Sequence, residues 1–165
     1  MKLVASFDGC YSMKRDIGAG AGVVYLPDGA EIAHAAQFLR HATTPIAEYT
    51  ALICALNLAL ELGATEITCW GDAESVCRQI QDQKDNPHGS YAVRVPTLIP
   101  LNGMAKLLMS RFDRADVFEL PRAGPKNKRR HNNVRADEIA NESRETASSF
   151  KRIHEQPGGQ RWTPT

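Results

Sequence analysis

Four acidic residues, Asp8, Glu48, Asp72 and Asp137, fall where the chain changes from one element to the next, at intervals of 40, 24 and 65 residues. Glu48 belongs to "TTPIAEYTALICALNLALEL", residues 43 to 62, which reads as one helix. Along its own face, at steps of four, seven, eight and eleven, come Leu52, Ala55, Leu56 and Ala59, so a carboxylate heads a stripe suited to a core. An exposed acid early in a helix gains about 0.3–1 kcal/mol from the dipole, whereas an unpartnered charge turned inward costs several kcal/mol. No Lys or Arg stands nearby in the local sequence, so the partner has to be a cation from elsewhere.

Hard oxygen ligands, without a His/Cys cluster at metal-binding spacing, point to Mg²⁺ or Mn²⁺ rather than Zn²⁺. Three or four carboxylates converging on one strand edge suit two such ions about 3.5–4 Å apart, which activate a water and stabilise the leaving oxygen of a phosphodiester. Each acid alone also has an ordinary structural explanation. Asp8 before Gly9 suits a turn, Asp72 suits a helix cap, and Asp137 beside Glu138 suits a helix dipole.

The elements that must position these residues follow from periodicity and punctuation. "KLVASFD" (2–8) predicts a first strand ending at Asp8, and "GAGAGVVYL" (18–26) a second whose glycines admit another backbone closely. "PDG" (27–29) is a turn, after which Ile32, His34, Ala36 and Phe38 alternate onto one side of a third strand. Thr44 is the expected N-cap of the first helix, with Pro45 at its first position and Gly63 closing it. "EITCWGD" (66–72) is a fourth strand and "AESVCRQIQDQ" (73–83) a short amphipathic helix. A proline-rich loop (84–100), a helix from about Leu101 to Phe112 and a fifth strand "ADVFELP" (115–121) come next. A last helix spans about Val134 to Phe150. This order predicts an α/β fold with a five-stranded mixed sheet, a three-strand antiparallel meander plus two parallel strands, covered by helices on both faces. Residues 1–150 are expected to form one domain and 151–165 a flexible tail.

The 165 residues (18.2 kDa) suffice for one domain without disulfides, and 42% hydrophobic with 24% charged residues is the balance of a soluble globular chain. The net charge of +1 excludes no partner class, because a polyanion responds to charge distribution. Cys10, Cys54, Cys69 and Cys77 form no C-x-x-C pair and read as reduced thiols. No apolar run reaches the length of a signal peptide core or a membrane span, so the expectation is a cytoplasmic monomer with no membrane association.

With these anchors in register, "FDGC", "TTPIAEYTAL", "CWGDAESV" and "NNVRADEIANES", the chain resembles ribonuclease H of the type I branch over about residues 2 to 147. The resemblance implies a ribonuclease H-like fold and hydrolysis of the RNA strand of RNA/DNA hybrids, leaving 5′-phosphate and 3′-hydroxyl ends. It implies that Asp8, Glu48, Asp72 and Asp137 bind two Mg²⁺ ions, with Mn²⁺ as a substitute. Asp8 would bridge both ions, Asp137 would serve the one that activates water, and Glu48 with Asp72 the other. Thr43 matches a position that contacts a phosphate of the DNA strand, and His131 is the candidate for the family's mobile-loop histidine, although its six-residue gap to Asp137 is shorter than usual and an ordinary loop histidine is the alternative. Hybrids are recognised through 2′-hydroxyl contacts across the minor groove, by shape more than sequence.

The chain departs from the family pattern in three places. Thr44 and Pro45 stand where members often carry two asparagines, Ala73 follows the third carboxylate in place of Ser or Thr, and residues 84–100 lack the Trp-rich basic protrusion. The basic stretch "RAGPKNKRRHNNVR" (122–135) is the candidate alternative surface, with Arg122, Lys126, Lys128, Arg129 and Arg130 as phosphate-neutralising residues. The second hypothesis is a weakly active or inactive nucleic-acid-binding module of the same fold. His34, His41, His88 and His154 are scattered along the chain and carry no signal on their own.

Overall fold

The structure, a computed structural model, describes residues 1–85, 91–120 and 131–155, with only the backbone described at 82–85 and 131–132. Its elements are β1 (Lys2–Ser12), β2 (Ile17–Tyr25), β3 (Glu31–Arg40), α1 (Thr44–Glu61), β4 (Glu66–Gly71), α2 (Glu74–Asp85), α3 (Ile99–Met109), β5 (Arg114–Glu119), α4 (His131–Thr146) and β6 (Phe150–Ile153). One sheet runs β5-β4-β1-β2-β3-β6. The meander β1-β2-β3 is antiparallel, β4 and β5 join β1 in parallel, and β6 is antiparallel to β3. Among the described residues no helix is long and apolar enough to cross a membrane.

The mixed sheet with helices is as predicted, but among the described residues it has six strands rather than five. The last helix stops at Thr146, where Ala147 takes a left-handed φ of 50°, and the chain turns back as β6. Lys151–Ile153 therefore pair with Ala33–Ala35 of β3 and do not belong to a flexible tail; residues 156–165 lie outside the described residues. The cue is weak because four residues with only Phe150 and Ile153 apolar carry too little alternation to reveal a strand.

Helix α1 and β2 pack as two stripes of small residues. Ala47, Ala51, Ala55 and Ala59 form one row of the helix and are all fully buried. They lie against the glycines of β2, as the sequence predicts. A methyl group added at Gly20 would stand 2.4 Å from the amide nitrogen of Ala51. The N-cap is Thr43, one residue earlier than expected, with its side chain accepting from the Ile46 amide at 3.4 Å. Gly63, at φ +79°, follows the C-cap.

Two apolar layers flank the sheet. The larger joins Leu3, Ala5 and Phe7 of β1 to Leu52, Leu56 and their neighbours in α1, with α2 and α3 closing the rim. The smaller sets Ala21, Val23 and Tyr25 of β2 against Ala136, Ile139 and Ala140 of α4. A register shift between Val24 and Tyr25 alters β3. Ile32 joins the α1 layer instead of sharing a side with His34, because the bulge reverses the alternation there.

Candidate active site

Strand β1 runs to Ser12, four residues past the expected end, so Asp8 is inside a strand and not at a turn. The β1–β2 pairing continues through Asp8↔Ala21 to Ser12↔Ile17, but the β1–β4 pairing ends at Ser6↔Trp70. Extending that parallel register by two residues sets Asp8 opposite Asp72, just beyond the end of β4. There β4 stops while β1 runs on, and the crevice left where the parallel pairing ends is the kind of place in which ligand sites of α/β sheets form.

Alternation turns Asp8 to the α4 side and Gly9 to the α1 side. The missing side chain at Gly9 lets α1 come close: an added methyl would stand 2.5 Å from the nitrogen of Glu48. The Gly9 amide donates to Glu48 Oε2 at 3.1 Å. Glu48 thus reaches past the strand into the crevice, at the head of the stripe of Leu52, Ala55, Leu56 and Ala59, all of them buried. Carboxylate oxygens of Asp8, Glu48 and Asp72 all lie within 4.8 Å of one another.

The crowding is electrostatically costly. Asp8 and Glu48 are each only 8% exposed. Burial, then the charges of Asp72 and Asp137, push the Asp8 carboxyl up to about 8. Burial, then Asp8 and Asp72, push Glu48 up to about 9, partly opposed by the Gly9 hydrogen bond. Two carboxyls driven this far toward neutrality match a site completed by a cation, and donors that are all carboxylate oxygens suit a hard ion such as Mg²⁺ or Mn²⁺.

Asp137 comes from α4, next to Ala136, which packs fully buried on β2. It is exposed and outside the close set of three, yet near enough for its charge to act on Asp8 and Cys10. Asn141, one turn on, donates through Nδ2 to Asp137 Oδ1 at 2.8 Å and to its carbonyl at 2.9 Å. Sequence reasoning missed this pair, although the i, i+4 spacing on a helix was available as a signal. It also read Gly9 only as part of a turn, when Gly9 supplies both clearance and a hydrogen bond.

The other expected site residues divide. Thr43 caps α1, its hydroxyl oxygen accepting from the Ile46 amide. His131 opens α4 three residues earlier than the predicted start at Val134, and nothing is described of its side chain. Arg122, Lys126, Lys128, Arg129 and Arg130 lie outside the described residues.

Residues 6–143 match the family described as reverse transcriptase-like, and the chain belongs to that family. Its fold is that of type 1 ribonucleases H. It superimposes with a TM-score of 0.73 on ribonuclease H1 of the halophilic archaeon Halobacterium salinarum, at 29% identity, covering 88% of this chain and 99% of the other. It matches the N-terminal RNase H domain of Rv2228c from Mycobacterium tuberculosis equally well, at 30% identity over 88% and 95% of the two chains. A third neighbour, LC11-RNase H1, was solved in complex with an RNA/DNA hybrid; it has a TM-score of 0.71 at 25% identity, over 88% of this chain and 98% of that one. In sequence, the chain is 31% identical over 149 residues to the bifunctional protein Rv2228c, spanning 90% of this chain but 37% of that protein. It is likewise 31% identical to the ribonuclease HI of Halobacterium salinarum, over 87% of this chain and 64% of that one.

Proposed function

We propose that this protein is a divalent-metal-dependent endoribonuclease that hydrolyses the RNA strand of RNA/DNA hybrids by a two-metal mechanism. The observation that carries the proposal is the convergence of carboxylate oxygens of Asp8, Glu48 and Asp72 within 4.8 Å where β4 stops beside β1. The similarity to ribonucleases H1, one of them bound to a hybrid, supports the substrate class.

Asp8, Glu48, Asp72 and Asp137 would hold two Mg²⁺ ions, with Mn²⁺ as a substitute. Bound there, the ions supply a water of lowered pKa and charge compensation at the leaving oxygen. The protein's part is to hold the oxygens ready. Glu48 is steered by the Gly9 amide, Asp8 is fixed by the strand pairing on its β2 side, and Asp137 is held by Asn141 at the solvent margin. The basic segment of Arg122, Lys126, Lys128, Arg129 and Arg130, with His131 behind it, leads into the helix of Asp137 and would neutralise substrate phosphates, making binding salt-dependent. Thr43 is the proposed contact to a DNA-strand phosphate.

The test is a labelled RNA/DNA hybrid, with single-stranded RNA, double-stranded RNA and double-stranded DNA beside it, incubated with Mg²⁺, Mn²⁺ or EDTA. Cleavage of the hybrid alone, dependent on metal and abolished in folded Asp8→Asn and Asp72→Asn variants, is the expected result. Retained cleavage in either variant refutes the site. The Thr44-Pro45 and Ala73 departures favour one alternative, a hybrid-binding module of low activity. Tight hybrid binding without product in Mn²⁺ would select it.

A further inference from the structure

Away from the carboxylate crevice, Glu31, His34 and His154 bring one carboxylate oxygen and two ring nitrogens within 4.8 Å of one another. The bulge between Val24 and Tyr25 makes this possible. It pairs Val23 with His34 and Tyr25 with Glu31, so two β3 residues of odd spacing share the α4 side of the sheet. His154 follows β6, its backbone amide donating to the Ile32 carbonyl at 2.8 Å.

Glu31 Oε1 faces both rings, 2.8 Å from His34 Nδ1 and 3.0 Å from His154 Nε2. Its other oxygen, Oε2, accepts from Arg135 Nε at 3.0 Å, which orients the carboxylate as a supporting hydrogen bond does in metal sites. His34 is 2% exposed, and its remaining ring nitrogen, Nε2, is buried with no hydrogen-bond partner among the described residues. Through Nδ1, His34 shares the Glu31 Oε1 oxygen with a second imidazole, that of His154.

We propose that Glu31, His34 and His154 form a Zn²⁺ site that fastens β6 to β3 and, through Arg135, to the helix carrying Asp137. Two imidazoles and one carboxylate are donors that Zn²⁺ accepts, with a fourth position left to water. Tetrahedral bonds of about 2.0–2.1 Å place ligand atoms about 3.3 Å apart, so the two spacings to Glu31 Oε1, 2.8 and 3.0 Å, need to widen by about 0.3–0.5 Å. His154 is 43% exposed and provides the entry path.

The experiment titrates the full chain, carrying Asp8→Asn and Asp72→Asn to disable the carboxylate crevice, with Zn²⁺ by calorimetry and thermal melts. Co²⁺ serves as a spectroscopic probe of coordination geometry. One Zn²⁺ per chain, a Tm raised by about 5–10 °C at a hundredfold excess over Kd, and tetrahedral Co²⁺ absorption are expected. His154→Ala, at a half-exposed position, and Glu31→Gln should each weaken Zn²⁺ at least about tenfold while remaining folded. In the chain with its crevice intact, His154→Ala should leave Mg²⁺-dependent cleavage unchanged. Absence of Zn²⁺ binding, or equal affinity in folded His154→Ala and Glu31→Gln, overturns the proposal.

Discussion

The amide of Gly9 donates to Oε2 of Glu48 across 3.1 Å, and the same glycine leaves no room for a side chain between β1 and α1. Gly9→Ala sets a methyl against the Ala47–Glu48 backbone, which cannot rotate away as a side chain can. The expected cost is about 1–3 kcal/mol of stability, read from urea unfolding, together with a loss of metal-dependent cleavage as Glu48 is displaced.

Without metal, Asp8 and Glu48 are held at about 8 and about 9, against ordinary values of 3.8 and 4.5. Between those limits the folded chain binds more protons than the unfolded one, so these groups lower stability progressively as pH rises from about 4 to about 9. Asp8→Asn and Glu48→Gln remove the penalty. In EDTA at about pH 8 each should melt about 2–8 °C above wild type, with the gap closing near pH 5. Added Mg²⁺ should stabilise wild type more than either variant, and a wild type equally stable in EDTA at both pH values would contradict the argument.

Asn141 holds Asp137 at two points, its carboxylate and its carbonyl. Asn141→Ala should lower kcat for the hybrid by about tenfold with little change in KM, as loss of a group that orients a metal ligand does. Higher Mg²⁺ should recover part of the rate. Steady-state kinetics over a Mg²⁺ series distinguishes this from a general loss of folding, which would lower the active fraction at every Mg²⁺ concentration.

Tyr49 is fully buried, and its hydroxyl accepts from Asn102 Nδ2 at 3.0 Å and donates to Gln79 Oε1 at 2.7 Å, linking α1 to α3 and α2. Tyr49→Phe keeps the ring but strips Asn102, itself buried, of this partner. A loss of about 1–3 kcal/mol is expected, seen as a lower urea midpoint with an unchanged slope.

Much of the architecture was legible because it is written in local periodicity. The stripe headed by Glu48, the glycine run of β2 and the turn at residues 27–29 each rest on neighbours within a dozen positions. Element ends were less legible. Strand β1 continues past Asp8 because β2 continues beside it, and β6 exists because β3 offers an open edge; neither reason lies in the segment itself.

The candidate site divides in the same way. Residue types and their order along the chain singled out Asp8, Glu48, Asp72 and Asp137 as candidates, and the structure brings the first three together. The distances among them, the clearance at Gly9 and the grip of Asn141 arise only when strands stop at different points and a helix settles on glycine. The histidines make the contrast plainest: His34 and His154 are 120 residues apart in sequence, and a one-residue bulge together with an added edge strand brings them to the same carboxylate. Chain order determined which chemistry was available, and nonlocal pairing decided where it assembled, because pairing energy depends on partners that no local stretch contains.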